Sequence, residues 1–144
     1  MRSTFITGFP RESQSAFENL LSFVKQAKLF NAGFFAYSRE KGTPAYKLDG
    51  QIPYQTKQKR LRILYNTQLE IAQANGDQLV GKTFSVIAEG FSKQSLTYFG
   101  RAYFNAPDVD GKVYFFSSEQ VENGQTYQVK ITHADGYDLY GERV

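Results

Sequence analysis

The chain has 144 residues, of which 41% are hydrophobic and 16% aromatic, with 17 basic and 14 acidic side chains. That length makes one or two small domains, with apolar material for one good core rather than two large ones. There is no cysteine, which excludes a disulfide framework, a thiolate metal site and a thiol nucleophile within the chain. No apolar run approaches membrane-spanning length and Met1-Arg2-Ser3-Thr4 does not open a signal peptide, so the expectation is a soluble cytoplasmic protein with no membrane partner.

The net charge of +3 hides an asymmetry. Residues 1–74 carry 11 basic and 5 acidic side chains, a balance of +6, whereas residues 75–144 carry 6 and 9, a balance of −3. The split predicts two modules with different partners, divided at 1–74 and 75–144. A nucleic-acid binder needs Lys and Arg to displace phosphate counterions, so the acidic second half matches a basic protein surface better.

In chain order, Thr4-Phe5-Ile6-Thr7 reads as a buried strand stopped by Gly8-Phe9-Pro10, because Pro lacks the N–H that a ladder needs. Ser15 with Glu18 three residues on fits a capping box, and Ser13 is a competing N-cap. Phe17, Leu20, Leu21, Val24 and Ala27 then recur at helical spacing. Asn31-Ala32-Gly33 reads as the helix stop. Phe34-Phe35-Ala36-Tyr37 reads as a second strand, apolar on both faces as if covered by helices on each. Strand, helix, strand is a βαβ unit with parallel strands.

Ser38 to Pro53 is a loop marked by Gly42, Pro44, Gly50 and Pro53. A helix follows over roughly Tyr54 to Ala74, with Leu61, Leu64, Tyr65, Leu69 and Ala72 as its stripe and Asn75-Gly76 as its stop. Lys57, Lys59, Arg60 and Arg62 read as a solvated face in preference to a phosphate contact. From Val80 the chain is β, with strands expected at Thr83–Glu89, Leu96–Phe104, Lys112–Phe116, Thr126–Thr132 and Tyr137–Glu142. Asp110-Gly111, Asn123-Gly124 and Asp135-Gly136 are turn dipeptides, since Gly accepts a positive φ without steric cost. Five short antiparallel strands with such turns make an OB-like barrel, so the fold class is α+β.

No motif is a self-sufficient active site, and neither catalytic nor metal-ligating residues are assigned. His133, the only histidine, has no second histidine or cysteine to build a typical zinc site and reads as a strand-end residue. Asp108-Val109-Asp110-Gly111 lacks the flanking helices and closing Glu of a calcium loop and reads as a turn. Asp135 and Asp138 have no nucleophile or pocket placed beside them. Gly8-Phe9-Pro10 follows a strand, where α/β folds bind ligands, although strand ends need turns in any case.

Several segments carry a family. Thr4-Phe5-Ile6-Thr7-Gly8-Phe9-Pro10-Arg11-Glu12-Ser13 and Phe35-Ala36-Tyr37-Ser38-Arg39-Glu40-Lys41-Gly42-Thr43-Pro44-Ala45-Tyr46 resemble segments of the radical S-adenosylmethionine methylthiotransferases. Ala106-Pro107-Asp108-Val109-Asp110-Gly111 and His133-Ala134-Asp135-Gly136-Tyr137-Asp138-Leu139 resemble the branch that methylthiolates an aspartate of small-subunit ribosomal protein twelve. The resemblance is collinear over nearly the whole chain. It implies that residues 1–74 are a βαβα fragment closing a partial (β/α) radical-SAM barrel and that 75–144 are a TRAM domain, an OB-like barrel that presents substrate. By carry-over, Ile6 and Gly8 lie along the S-adenosylmethionine cleft, and Phe35, Ala36 and Tyr37 flank the adenine. Arg11 stands where the family usually has Gly and Arg39 where it has Pro, and either side chain is expected to crowd that cleft.

The family's two [4Fe-4S] clusters are held by cysteines, so this chain alone holds no cofactor in the family manner and is expected to be inactive as an enzyme. It then reads as a piece of a longer protein, a truncated gene product or an expressed C-terminal domain. Its expected partners are the basic ribosomal protein and the missing cluster-bearing N-terminal half. The competing reading is an RNA-binding TRAM or OB-type module, for which Tyr98, Tyr103, Tyr114 and the basic start of the second helix speak. A gene remnant without function is the third.

Overall fold

A computed structural model describes all 144 residues. The chain forms two compact units, Met1–Ile71 and Ala72–Val144. The boundary falls inside the second helix.

In the first unit, β1 (Arg2–Thr7) and β2 (Asn31–Ala36) form a parallel pair joined by α1 (Gln14–Ala27). Ser13 is the N-cap and accepts from the Ala16 N–H, while Ser15 only bonds to the Ser13 hydroxyl. The helix ends earlier than Asn31-Ala32-Gly33, at Lys28, whose φ of 44° turns the chain left-handed. Those three residues instead open β2, since the turn has already been made. Phe17, Val24, Ala32, Phe34 and Leu64 form the core, and the Phe5 ring stacks on Phe34 at 5.6 Å.

Alternation along a strand sends neighbours to opposite faces. Phe5 and Phe34 face the helices, whereas Ile6 and Phe35 are 58% and 60% exposed. The reading of β2 as covered on both faces is therefore corrected: one face is covered and the apolar other is open.

After a short 3-10 turn (Pro44–Lys47), α2 runs Tyr54–Asp77. Its stripe differs from the sequence reading at Leu69, which is exposed, while Gln68 is buried. Gln68 Nε2 donates to the Leu29 and Phe30 carbonyls at 2.9 and 3.5 Å, so a buried amide serves backbone acceptors left open after α1. Tyr65 is also largely exposed, but its hydroxyl donates to the Phe34 carbonyl at 2.8 Å.

The second unit is a closed barrel in the order β3 (Thr83–Ser92), β4 (Thr97–Arg101), β5 (Val113–Phe116), β7 (Asp138–Arg143), β6 (Thr126–Asp135). Four of its pairings are antiparallel, and β5 with β7 is parallel, which corrects the all-antiparallel expectation. The alternating residues Val86 and Ala88, Val113 and Phe115, and Val129 and Ile131 point inward and meet Leu139, so every strand but β4 supplies a fully buried aliphatic or aromatic side chain. In β4 the inward Gly100 lies against the Ile87 carbonyl. The strand ends at Arg101, so Tyr103 and Phe104 belong to the β4–β5 loop and not to a strand.

Asp110-Gly111 also works differently from the expected turn. Gly111 has no positive φ. A Cβ there would lie 1.9 Å from the Tyr137 carbonyl oxygen, so the residue is needed for the close approach of the β4–β5 loop to the start of β7. No helix is long and apolar enough to cross a membrane.

Two outcomes follow from these contacts. Gly111→Ala must displace backbone and should lower the barrel's unfolding free energy by about 2 kcal/mol or more, measured by urea denaturation; an unchanged midpoint would contradict the packing. In hydrogen exchange, residues 1–50, built on a two-stranded sheet with unpaired edges, should be less protected than residues 80–140 in the edgeless barrel. Equal protection would mean that those edges are paired with something else.

Candidate functional site

The carboxyl ends of β1 and β2 gather the sequence-predicted residues. β1 closes with buried Thr7 and with Gly8 at a φ of +77°. The Tyr37 N–H donates to the Thr7 carbonyl at 2.8 Å, which extends the ladder one step past β2. Glu12 sits below this end. Its carboxylate accepts from the Gly8 N–H at 2.5 Å, from the Thr7 hydroxyl at 3.2 Å and from Arg60 Nη1 at 2.5 Å. The same Arg60 nitrogen donates to the Glu12 carbonyl at 3.1 Å, and Nη2 reaches Gln14 Oε1 at 3.4 Å.

Arg60 is only 6% exposed, and its guanidinium lies over the Phe17 ring at 5.2 Å. Lys57 Nζ donates to the Tyr37 carbonyl at 2.9 Å and lies 4.9 Å from the Tyr37 ring centre, and its aliphatic stem occupies the space above Gly8. The reading of this basic run as a solvated face holds for Lys59 and Arg62, which are exposed, and fails for Lys57 and Arg60. A face count could not find them: for Arg60 the signal lies in Glu12, 48 residues away, which needs a cation once it is buried, and for Lys57 in the Tyr37 carbonyl and ring.

The five predicted residues therefore divide. Ile6 and Phe35 are register partners on the open face. Ala36 alternates to the helix side beside Thr7. Gly8 is roofed by Lys57, and the Tyr37 ring packs edge-on against Phe9 at 5.1 Å. The open face offers a ligand an apolar wall. At the strand end Glu12 takes the Gly8 N–H and Lys57 the Tyr37 carbonyl, while the buried Tyr37 hydroxyl and Arg60 Nε have no hydrogen-bond partner within the chain. A [4Fe-4S] cluster does not fit this chain, because its thiolate ligands are absent from the sequence.

The two arginines expected to crowd the cleft are engaged elsewhere. Arg11 takes a φ of +67°, the left-handed region in which a glycine is unstrained. It pairs with Asp49 and donates its N–H to the Gly50 carbonyl at 2.8 Å. Arg39 Nε donates to the Tyr46 carbonyl at 2.9 Å, and its guanidinium lies over the Tyr46 ring.

On the barrel, His133 stacks on Tyr140 at 4.4 Å and Tyr140 on Tyr114 at 5.3 Å, a cross-strand row over β6, β7 and β5. Partial burial, then the Asp138 and Asp135 carboxylates, and then Tyr114 push the Tyr140 phenol above its ordinary range. Asp138 also caps the Lys112 N–H at 2.7 Å, and Asp110 caps the Ala106 N–H at 2.6 Å, so these carboxylates shape loops. Tyr98 packs between Phe91 and Phe115. Of the three tyrosines singled out in the sequence, Tyr103 alone is open, at 88% exposure.

Residues 80–144 match the TRAM domain family. The chain is 40% identical over 142 residues to the ribosomal protein uS12 methylthiotransferase RimO of Acetivibrio thermocellus, covering 99% of this chain and 31% of that protein. Its namesakes from Desulforudis audaxviator and Carboxydothermus hydrogenoformans are 42% and 44% identical, over 96% and 99% of this chain and 30% and 32% of theirs. The chain thus spans about a third of the length of the curated relatives it matches.

Removing one partner of the buried pair strands the other, so Arg60→Met should cost about 3–5 kcal/mol, while Glu12→Gln combined with Arg60→Met should cost less than Arg60→Met alone. Chemical denaturation of the four species of this cycle measures it. Additive losses would contradict the pairing.

Proposed function

From a chain that belongs over its whole length to the ribosomal protein uS12 methylthiotransferases and spans about a third of them, we propose that it is the substrate-docking portion of such an enzyme and is not catalytic by itself. The observation that carries this reading is charge. The barrel unit holds 6 basic and 9 acidic side chains, a balance of −3, against +6 for the first unit. A small-subunit ribosomal protein is basic, as a protein packed against RNA phosphates must be. The acidic barrel is complementary to it and repels RNA, so it selects the protein and speeds encounter.

Catalysis in the whole enzyme would draw on the cluster-bearing part. There the cluster's thiolate ligands would be supplied, and the radical chemistry would come from S-adenosylmethionine bound with a [4Fe-4S] cluster. This chain's residues would contribute shape. Ile6 and Phe35 form the apolar wall of the cleft. Gly8 keeps the strand end low beneath Lys57, and Ala36 and Tyr37 set the turn that bounds the adenine side. Glu12 and Arg60 hold that end rigid through the bonds they make to Gly8, Thr7 and one another. The proposed division is 1–74 for the barrel end and 75–144 for the TRAM domain, acting in the cytoplasm.

An RNA-binding module is the second reading, favoured by the open Tyr103 and by the exposed Lys59 and Arg62 on α2. Calorimetric titration of the 144-residue chain separates the two. Recombinant uS12 should bind at low salt and lose about tenfold or more in affinity between roughly 0.05 and 0.5 M salt. Transfer RNA and ribosomal RNA should give flat traces. Silence with uS12 at low salt would sink the docking reading, and an RNA isotherm would favour the second.

A further inference from the structure

We propose that the β4–β5 loop, residues 102–112, is a preformed docking element for an arginine- or lysine-bearing segment of the protein substrate, with Tyr103 as its anchor. The proposal rests on the docking reading above and locates it on the barrel.

The first observation is internal order. Asn105 is buried and ties both ends of the loop. Its Oδ1 accepts from the Ala102 N–H at 3.0 Å, and its Nδ2 donates to the Gly111 carbonyl at 2.8 Å. The Asn105 N–H also returns to the Ala102 carbonyl at 3.1 Å, and Asp110 spans the middle of the loop through the Ala106 N–H. The base is clamped to β7 by the Lys112 N–H on Asp138 and by the Leu139 N–H on the Lys112 carbonyl at 2.9 Å. A loop held this way loses little conformational entropy on binding.

The second observation is what the ordered loop displays. Tyr103 is 88% exposed and Val109 74%. Tyr103 is not a free rotor: its ring meets Phe104 edge-on at 5.1 Å and Phe84 at 6.5 Å, and Phe84 meets Phe104 at 5.3 Å. Phe84 and Phe104 pack against the barrel core. The result is a rigid aromatic seat with an uncovered outer ring, the most exposed ring of the barrel, ahead of Phe116 at 59% and Phe91 at 48%.

The third observation is charge. The loop carries Asp108, exposed and at a φ of +57°, and Asp110; its one cation, Lys112 at its end, lies over the Phe99 ring at 4.3 Å. An open tyrosine face on a loop that also carries carboxylates attracts a guanidinium or ammonium through the ring quadrupole and through Coulomb attraction. It would repel a phosphate backbone. The His133–Tyr140–Tyr114 row is a poorer seat, because its ring faces are stacked on one another.

The test compares variants of the full chain for binding to recombinant uS12 at low salt, with a thermal melt of each to show that the barrel is intact. Tyr103→Ala should weaken binding about tenfold and leave the melt unchanged, since the ring is exposed. Tyr103→Phe should bind within about twofold of the parent, because the ring face is kept. Asp108→Asn should weaken binding at low salt, with the difference shrinking as salt screens it. Phe91→Ala, at another exposed aromatic of the same barrel, should change little. If the parent binds uS12 and Tyr103→Ala binds as well, the loop assignment is overturned and the docking reading stands. If the parent does not bind, both fall. Binding of single-stranded RNA that Tyr103→Ala abolishes would assign the loop to nucleic acid and overturn the proposal.

Discussion

The barrel depends on one closure, the parallel pairing of β7 with β5. Four antiparallel pairings alone would leave a strip with two open edges, ready to pair with another chain. The closure is made at one place. Gly111 lies against the Tyr137 carbonyl with no room for a Cβ, Asp138 caps the Lys112 N–H, and the Leu139 N–H reaches the Lys112 carbonyl. Parallel strands cannot be joined by a tight turn, so β6 has to return between them in sequence. The β4–β5 loop, which joins antiparallel neighbours, reaches this closure through Gly111 and Lys112, and the structure orders it with Asn105 and Asp110. The segment that closes the barrel therefore also presents its most exposed tyrosine.

The first unit solves a different problem. A two-stranded parallel sheet has a helix-covered side and an open apolar side, and its carboxyl end has donors and acceptors to satisfy. Glu12 takes the Gly8 N–H and the Thr7 hydroxyl, and Arg60 neutralises Glu12 from a helix 48 residues further on. A buried ion pair is weak evidence for stability, since desolvation offsets much of the attraction, but it fixes geometry because either partner alone is costly. Here it fixes where β1 stops and how α2 meets the strand end. The other face, with Ile6 and Phe35, stays apolar and exposed.

Much of this was legible in the residues. The helical stripe of Phe17 and Val24, the barrel's alternating Val86 and Ala88, and the two-residue turn after Asp135 are local patterns, and local patterns survive folding. What the residues hid was long-range. Lys57 and Arg60 look like any basic run until Tyr37 and Glu12 are brought to them. Gln68 and Leu69 exchange inside for outside because the residues after α1 need an amide donor, which outweighs one leucine's burial. Gly111 looks like a turn glycine and is instead a clearance glycine, a distinction that exists only once Tyr137 is beside it. The all-antiparallel expectation failed for the same reason, since β5 and β7 are distant in sequence. Of the candidate site, the five residues were named by resemblance; that Ile6 and Phe35 pair on the exposed face, and that Glu12 and Lys57 take the Gly8 N–H and the Tyr37 carbonyl, was not legible.

The central claim is that the acidic barrel, through its ordered loop, receives a basic protein. The most direct measurement is an amide chemical-shift map of the isotope-labelled chain during titration with uS12. The account predicts perturbations within residues 80–144, concentrated at 102–112 and on the neighbouring Phe84. Perturbations confined to residues 1–71, or none at saturating uS12, would contradict it.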